Sequence, residues 1–345
     1  MRKILYAGLL LAPLAAVLRY AVDADDVVVF SVSALALIPL AWLIGEATEH
    51  AAEHTGPGIG GFLNASFGNA PELIIALFAV ADGLPEVARG SLVGSIVSNL
   101  LLVLGFAVVL GGERSLDRTS LMANLGLVVW ATLLFLIPSI PGWHGYTDRH
   151  MLVVASIPVA VVLLAIYVGT TVRGLRRHHH RQQESHSAQQ GWKLSTALVA
   201  LALATGVTAV VSEILVQSLE GFAEAAGLST FFVSAVIVAI VGNAAEHGGA
   251  VVIARRGKIR LASEIAISSA AQVALLVVPV VTLLSFVVRP PLALAFRPVE
   301  LVTMAAGALV AGWVVWDAKG TRREGIWLLL AYAACVVAYY VSGNR

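Results

Sequence analysis

The sequence predicts an all-α polytopic membrane protein with eleven transmembrane helices, organised as one helix followed by two inverted five-helix repeats. Three observations support this fold class: the composition, a series of apolar stretches, and a motif that occurs twice. Of the 345 residues, 59% are hydrophobic and 12% are charged, about half of the ~25% charged share of soluble chains. This composition excludes an ordinary soluble enzyme. A net charge of only +1 argues against a nucleic-acid-binding protein.

Eleven stretches are apolar and close to the roughly 20 residues that a transmembrane helix needs. They lie near residues 2–22, 27–51, 62–81, 87–110, 119–139, 150–172, 192–217, 225–253, 260–285, 299–316 and 324–341. The first stretch also resembles a secretory signal. No convincing small-residue cleavage site precedes Asp23, so we expect this stretch to remain as a helix.

The loop charges predict the orientation. With the N-terminus in the cytoplasm, sixteen basic residues lie inside and six lie outside. Since basic residues are enriched on the cytoplasmic side, we expect a cytoplasmic N-terminus and an external C-terminus. The expected location is the cell (inner) membrane.

A basic, histidine-rich segment at 173–192 divides the chain. It separates a first repeat at 27–172 from a second repeat at 193–345, and the extra helix occupies 1–26. Its His178, His179 and His180, with His186 nearby, are compatible with weak transition-metal binding. We favour a solvated cytoplasmic loop that faces anionic lipid.

One motif occurs in both halves of the chain. FGNAPELI in the first half contains Asn69 and Glu72, and VGNAAEHG in the second contains Asn243 and Glu246, 174 residues later. Five predicted crossings lie between the two copies. Because five is odd, the second copy enters the membrane from the opposite side. Inverted repeats of this kind build secondary transporters, whose substrate site lies near the membrane midplane.

Glu72 and Glu246 both fall near the middle of the predicted hydrocarbon layer, roughly 13–16 Å from a helix end. A charge at that depth costs at least ~2.5–3.5 kcal/mol, and two at matching positions point to function. Gly-Asn before each glutamate weakens the helix, and a broken helix inside a transporter frees carbonyl oxygens for ions.

The following helices carry polar stripes at helical spacing. One stripe consists of Ser95, Ser98 and Asn99, and the other consists of Ser269 and Gln272. Hard divalent cations take six to eight oxygen ligands of these types. Two carboxylates neutralise one calcium ion. Desolvation and mutual repulsion make protons the natural competitors when no cation is bound. Competition for one site that is exposed alternately to each side predicts antiport.

At these residues the chain resembles the calcium/proton exchanger family of the cation/calcium exchanger superfamily. Similar stretches include IPLAWLIGEATEHAAEHTGPGIGGFLNASFGNAPELI, GSLVGSIVSNLLLVLG and GLSTFFVSAVIVAIVGNAAEHGGAV. The resemblance implies calcium extrusion driven by inward proton flow, with Glu72 and Glu246 as the ion ligands. It implies supporting contacts from Asn69, Asn243 and the polar stripes. His247 matches a family histidine, for which proton handling and plain packing are both open interpretations.

The resemblance implies no cofactor, only transported calcium and protons, and the lipid bilayer as surroundings. The sequence leaves a homo-oligomer open. Two departures from the family stand out: Glu184 is alone where relatives often carry an acidic stretch, and Ser268 replaces a usual glycine.

Two alternatives remain at this point. A sodium/calcium exchanger of the same superfamily would carry a further acidic residue where this chain has the uncharged Gln272 and Val273. An intramembrane metalloenzyme is suggested by His50, Glu53 and His54, which match an H-x-x-E-H zinc motif on one helical face.

Three glutamates near that motif share one helical face: Glu46, Glu49 and Glu53. They lie at the predicted cytoplasmic end of the second span. We interpret them as an acidic mouth that concentrates cations.

Overall fold

The computed structural model describes residues 2–145, 147–179 and 191–343, and these are almost entirely helical. The helices are α1 (Lys3–Val22), α2 (Asp26–Phe67), α3 (Ala70–Ala81), α4 (Pro85–Gly111), α5 (Arg118–Gly142), α6 (His150–His179), α7 (Leu194–Gln217), α8 (Leu219–Ala226), α9 (Thr230–Gly242), α10 (Ala244–Arg255), α11 (Ile259–Val288), α12 (Pro298–Val315) and α13 (Arg322–Gly343). A short antiparallel bridge pairs β1 (Arg114–Ser115) with β2 (Lys319–Gly320).

Within the described residues, nine helices are long and apolar enough to cross a membrane. The count is ten if α8 and α9, which meet at 112°, form one span. The predicted third and eighth spans differ from the others because each is broken, and α3 has only 12 residues. The polytopic all-α fold is therefore confirmed, whereas the count of eleven and the inverted order stay predictions.

Both breaks fall at the asparagine of the repeated motif. Asn69 has φ −103° and ψ 18°, and Asn243 has φ −90° and ψ 7°. This sparsely populated region of backbone space ends one helix and allows another to begin. The Gly-Asn pairs thus interrupt the helices, as the sequence predicts. The glutamates consequently lie in the first turns of α3 and α10.

The segment expected to be a loop, 52–61, is helical instead, and α2 continues to Phe67. It does not run straight, because a Cβ on Gly60 would lie 3.0 Å from the backbone oxygen of Ala52. A straight helix would separate residues eight apart by about 12 Å. The chain therefore turns back on itself here, and the glycines of TGPGIGG make that turn sterically accessible.

The predicted linker also differs from expectation at its start. α6 continues to His179, past the expected boundary at 172. His180 and His186 lie outside the described residues. The metal-binding interpretation of the histidine cluster stays untested.

The two halves of the chain meet where α4 packs against α9. Gly90 and Gly94 face this crossing: an added Cβ would lie 2.4 Å from the Ser234 hydroxyl oxygen and 2.0 Å from the Ala235 carbonyl oxygen, respectively. Small residues four apart let transmembrane helices approach closely. The glycines therefore determine how near the first half lies to the second.

Two ion pairs join helix ends of opposite halves. Glu86, in the first turn of α4, pairs with Arg297, which directly precedes α12. Arg260, in the first turn of α11, pairs with Asp117, which directly precedes α5. The hydrogen bond from Arg260 holds the pKa of the Asp117 carboxyl below its ordinary value. The two pairs thus join corresponding helix ends of the two halves. α4 contributes the acidic residue to one pair, whereas its counterpart α11 contributes the basic residue to the other.

The outer faces of the bundle are apolar. Large side chains that remain more than half exposed include Trp130, Leu203, Val287, Leu309 and Trp313. Buried polar residues such as Asn99 and Asn243 lie inside instead. An apolar exterior around a polar interior is the arrangement that a lipid environment requires.

We expect Gly94→Ala to destabilise the protein. Overpacking costs about 1–3 kcal/mol, and a carbonyl oxygen 2.0 Å from the new Cβ cannot move without shifting α9. Thermal unfolding of detergent-solubilised protein should show a lower Tm.

The matched control is Gly126→Ala in α5, where an added Cβ meets nothing within 4 Å. Because alanine favours helices over glycine, this variant should match or exceed the parent Tm. Equal Tm values for the two variants would contradict the proposed tight crossing.

Candidate functional site

The two motif glutamates lie at the beginnings of half-helices. Glu72 is in the first turn of α3 and is 5% exposed, and Glu246 is half-buried in the first turn of α10. The N-terminus of a helix carries a partial positive charge that stabilises an acidic side chain nearby. The broken helices therefore offset part of the cost of placing two carboxylates in an apolar bundle.

The two carboxylates lie near one another. Gly242, four residues before Glu246, faces Glu72, and a Cβ there would be 3.8 Å from Oε1 of Glu72. The charge of Glu246 repels that of Glu72. A bound cation or bound protons would remove this repulsion.

A chain of hydrogen bonds links the second motif to the polar stripes. Nδ2 of Asn243 donates to the Ser95 hydroxyl at 2.8 Å. Nδ2 of Asn99 donates to Oδ1 of Asn243 at 3.1 Å and to the Ser269 hydroxyl at 3.2 Å. The Ser269 hydroxyl donates to the Glu246 carboxylate. The chain thus runs from α4 to α11 through the break before α10.

The first motif makes a separate contact across the halves. Nδ2 of Asn69 donates to Oε1 of Gln272 at 2.9 Å. Ser98 behaves differently, since its hydroxyl donates to the Ser95 carbonyl of its own helix at 3.2 Å. Five of the nine predicted ligands therefore form one hydrogen-bonded chain, Asn69 and Gln272 form a second pair, and Glu72 lies beside Gly242. Ser98 is buried and donates only within its own helix.

Two oxygens in this region have no hydrogen-bond partner among the described residues. They are Oε2 of Glu72 and Oδ1 of Asn99, and both are buried. Unpaired buried oxygens are rare in proteins and call for an explanation. Carboxylate and amide oxygens are the ligands that calcium prefers, so these residues fit a divalent cation.

Sequence patterns do not predict the two π-helical turns that lie beside the site. One covers Ser98–Val103 within α4 and another covers Val273–Val277 within α11, each at the end of a polar stripe. Such turns are frequent at functional sites. They occur at corresponding places in the two halves, which sequence spacing alone does not reveal.

His247 follows Glu246 directly. Its backbone N–H donates to the Asn243 carbonyl at 2.9 Å, while Nε2 has no partner among the described residues. A role in proton handling therefore stays a prediction.

The H-x-x-E-H residues do not assemble a metal site. Nδ1 of His50 lies 3.3 Å from the Glu53 carboxylate, whereas Nε2 of His54 contacts the Trp192 carbonyl at 2.7 Å. No cluster of three metal-ligating side chains occurs within the described residues. Both histidines instead contact the end of the linker: the His50 ring packs against the Trp192 ring, and His54 contacts the Trp192 carbonyl. This arrangement does not favour the zinc-motif interpretation.

The three glutamates near this motif differ in solvent exposure. Glu49 and Glu53 are exposed, and Glu46 is half-buried. A Cβ on Gly191, at the end of the linker, would lie 2.8 Å from Oε2 of Glu53. A cation-concentrating mouth is compatible with these positions.

The chain is similar in sequence to known proteins over nearly its whole length. The family described as "Sodium/calcium exchanger protein" matches residues 26–173 and 196–341. A Ca(2+)/H(+) antiporter of Aphanothece halophytica is 35% identical, covering 98% of this chain and 97% of the relative. The Ca(2+)/H(+) antiporter ChaA of Bacillus subtilis (strain 168) is also 35% identical, covering 91% and 92%.

Solved structures show the same fold. The structure of native YfkE aligns with a TM-score of 0.83 at 32% identity, covering 98% of each chain. An H+/Ca2+ exchanger CAX aligns with a TM-score of 0.76 at 18% identity, covering 99% of this chain and 93% of that one. At that identity the second comparison supports the fold alone.

We expect Asn243→Ala to destabilise the site. The substitution removes hydrogen bonds to Ser95, to the Ala239 carbonyl and from Asn99. Each buried polar group left unpaired costs about 1–3 kcal/mol. Thermal unfolding in detergent should show a clear fall in Tm.

Ser98→Ala is the matched control, because the Ser98 hydroxyl donates only within its own helix. Its Tm should stay close to that of the parent. If Asn243→Ala unfolds at the parent temperature, the hydrogen-bond chain does not stabilise the protein.

Proposed function

The chain belongs to the calcium/proton exchanger family among the sodium/calcium exchanger proteins, and on this premise we propose that it exchanges calcium for protons by alternating access. It is an integral membrane transporter and not an enzyme. The observation that carries the proposal is the pair of carboxylates, Glu72 and Glu246, at the N-termini of two half-helices in a polar region of an apolar bundle.

Charge balance determines what this pair can hold. Glu72 and Glu246 together carry −2 when ionised, which matches one divalent cation. Amide and hydroxyl oxygens of the hydrogen-bonded residues add neutral ligands, and calcium takes six to eight oxygens. Protonation neutralises the same carboxylates and removes the repulsion between them. Calcium and protons therefore compete for one pair of groups, and this competition couples their movements.

We propose that the ion site is completed by Asn69, Asn243, Ser95, Asn99, Ser269 and Gln272. Ser98 would contribute less, because its hydroxyl bonds within its own helix.

Alternating access would arise from two inverted repeats, at 27–172 and 193–345, after the extra helix at 1–26. The matching helix breaks, π turns and ion pairs of the two halves support this arrangement.

We further propose an N-terminus in the cytoplasm and a C-terminus outside, in the cell (inner) membrane. The exposed Glu49 and Glu53, with Glu46 behind them, would then gather cations at the cytoplasmic face. The basic segment 173–192 would connect the repeats on that face. Protomer number is left open by this proposal.

Protons are favoured over sodium as the coupling ion. Gln272 and Val273 are neutral, so the acidic ligands needed for several sodium ions are missing from that part of the second half. The relatives at 35% identity are named Ca(2+)/H(+) antiporters. Sodium/calcium exchanger structures align with TM-scores of 0.55–0.58 at 17–20% identity, a likeness of fold alone.

We expect Glu72→Gln and Glu246→Gln each to abolish calcium/proton exchange. The amide keeps the shape but removes one charge and one titratable proton, so calcium would be buried with uncompensated charge. Radioactive calcium uptake into proteoliposomes with an imposed pH gradient should fall to the level of empty vesicles.

Glu72→Asp and Glu246→Asp are the matched controls, because they keep the charge and shorten the side chain by one methylene. They should retain partial activity with weaker apparent affinity. Folded, inserted Glu→Gln protein that transports calcium at the parent rate would refute the proposed site.

The coupling ion has its own test. A pH gradient should drive calcium uptake in sodium-free medium, since the carboxylate pair takes up protons without another ion. A sodium gradient at equal pH on both sides should not drive uptake. Sodium-driven uptake under that condition would exclude proton coupling as proposed.

A further inference from the structure

A polar cleft of about 230 Å³ lies between α5, α6 and α11. Six of its nine lining residues are polar, which is unusual for three apolar membrane helices. They are Asn124, Tyr167, Thr170, Thr171, Ser268 and Gln272. Polar side chains that face hydrocarbon are costly. The Thr170 hydroxyl donates to the Ile166 and Tyr167 carbonyls, the Ser268 hydroxyl donates to the Ile265 carbonyl, and Gln272 accepts from Asn69. Each hydroxyl oxygen keeps acceptor capacity for a further partner such as water.

The cleft is close to one membrane face. Asn124 lies six residues after the start of α5, about 9 Å along the helix, and Ser268 lies nine residues after the start of α11, about 14 Å. These two helix starts share one face, because Asp117 and Arg260 pair there. Under the proposed orientation that face is cytoplasmic.

The inner end of the cleft belongs to the ion site. Gln272 lines the cleft and also accepts the hydrogen bond from Asn69 at 2.9 Å. Ser268, on the cleft wall, precedes Ser269, whose hydroxyl donates to the Glu246 carboxylate. The cleft therefore borders residues that contact the proposed ion site.

We propose that this cleft holds water and carries protons between the carboxylate pair and the adjacent membrane face, apart from the route of calcium. The proposal rests on the proposed function. At ~30 Å³ per molecule, the volume fits roughly seven waters. A proton released from a carboxyl group passes to a water oxygen and onward along the waters. The hydroxyl and amide groups hold the waters in place.

The lining chemistry distinguishes a proton from calcium. No carboxylate lines the cleft among the described residues. A divalent cation entering it would lose hydration without gaining charged ligands, which calcium requires. A proton moves through hydrogen-bonded water without needing those ligands.

The corresponding place in the other half is closed. Tyr167 and Tyr339 each lie seventeen residues after the first residue of their helices, α6 and α13. Tyr167 lines the cleft, whereas the Tyr339 hydroxyl is 2.7 Å from that of Thr303, and both side chains are buried. The two matched tyrosines therefore differ: Tyr167 borders open space, whereas Tyr339 is packed against Thr303. A path open to both faces at once would leak protons, and this difference between the halves fits a path on one face.

The test compares two transport modes of the full-length protein in proteoliposomes. Calcium/proton exchange needs protons to reach the carboxylates, whereas exchange of labelled for unlabelled calcium does not. The double variant Asn124→Leu/Thr170→Val removes polar lining at similar volume. We expect it to lower calcium/proton exchange at least tenfold and to leave calcium/calcium exchange within twofold of the parent.

Gly126→Ala is the matched control on α5, because an added Cβ there meets nothing within 4 Å. Both modes should stay unchanged in it. Equal loss of both modes in the double variant would overturn the proposal, as would no loss in either. A parent protein that exchanges calcium for calcium but ignores a pH gradient would instead refute the proposed function.

A second measurement tests the proposal without the double variant, in case that variant does not fold. The single cysteine, Cys335, is replaced by alanine, and Thr171→Cys is introduced as a reporter. A charged, membrane-impermeant thiol reagent should modify the reporter from the adjacent face only. Modification by apolar reagents alone would show a cleft filled with lipid and overturn the proposal.

Discussion

Repulsion between two neighbouring carboxylates inside the bundle is the constraint on which the rest of the structure depends. Glu72 and Glu246 are neighbours inside an apolar bundle, where each charge is costly and the pair more so. The structure offsets part of this cost by breaking two helices, so that each carboxylate lies in a positive first turn. In the proposed mechanism the remainder of the cost is removed by the bound ion, whether a divalent cation or protons.

The polar interior also holds the two halves together. Asn99 and Ser95 of the first half contact Asn243 and Ser269 of the second, at distances of 2.8–3.2 Å. Tight glycine packing of α4 on α9 brings these side chains within reach. This polar cluster therefore forms only when both halves are correctly packed, and under the proposed function a change of bound ion would act directly on the interface between them.

Sequence reasoning identified the two glutamates, the helix breaks and the polar stripes, because these depend on local spacing and on the cost of charge in a membrane. It did not find the partners of each side chain. Ser98 and Asn99 are adjacent in sequence, yet only Asn99 reaches the other half. The turn within α2, the π turns and the cleft at Gln272 also escaped prediction, because they arise from contacts between distant segments.

Under the proposed function, amides around the carboxylates suit a site that must bind either of two ions. An asparagine offers a donor and an acceptor on one neutral group. Asn99 donates through Nδ2 to Asn243 and Ser269, which keeps its Oδ1 available as an oxygen ligand. An aspartate at this position would add a third negative charge and strengthen the binding of any cation. With neutral amides the charge of the proposed site is set by the glutamates alone, and the proposed competition between calcium and protons depends on those two carboxylates.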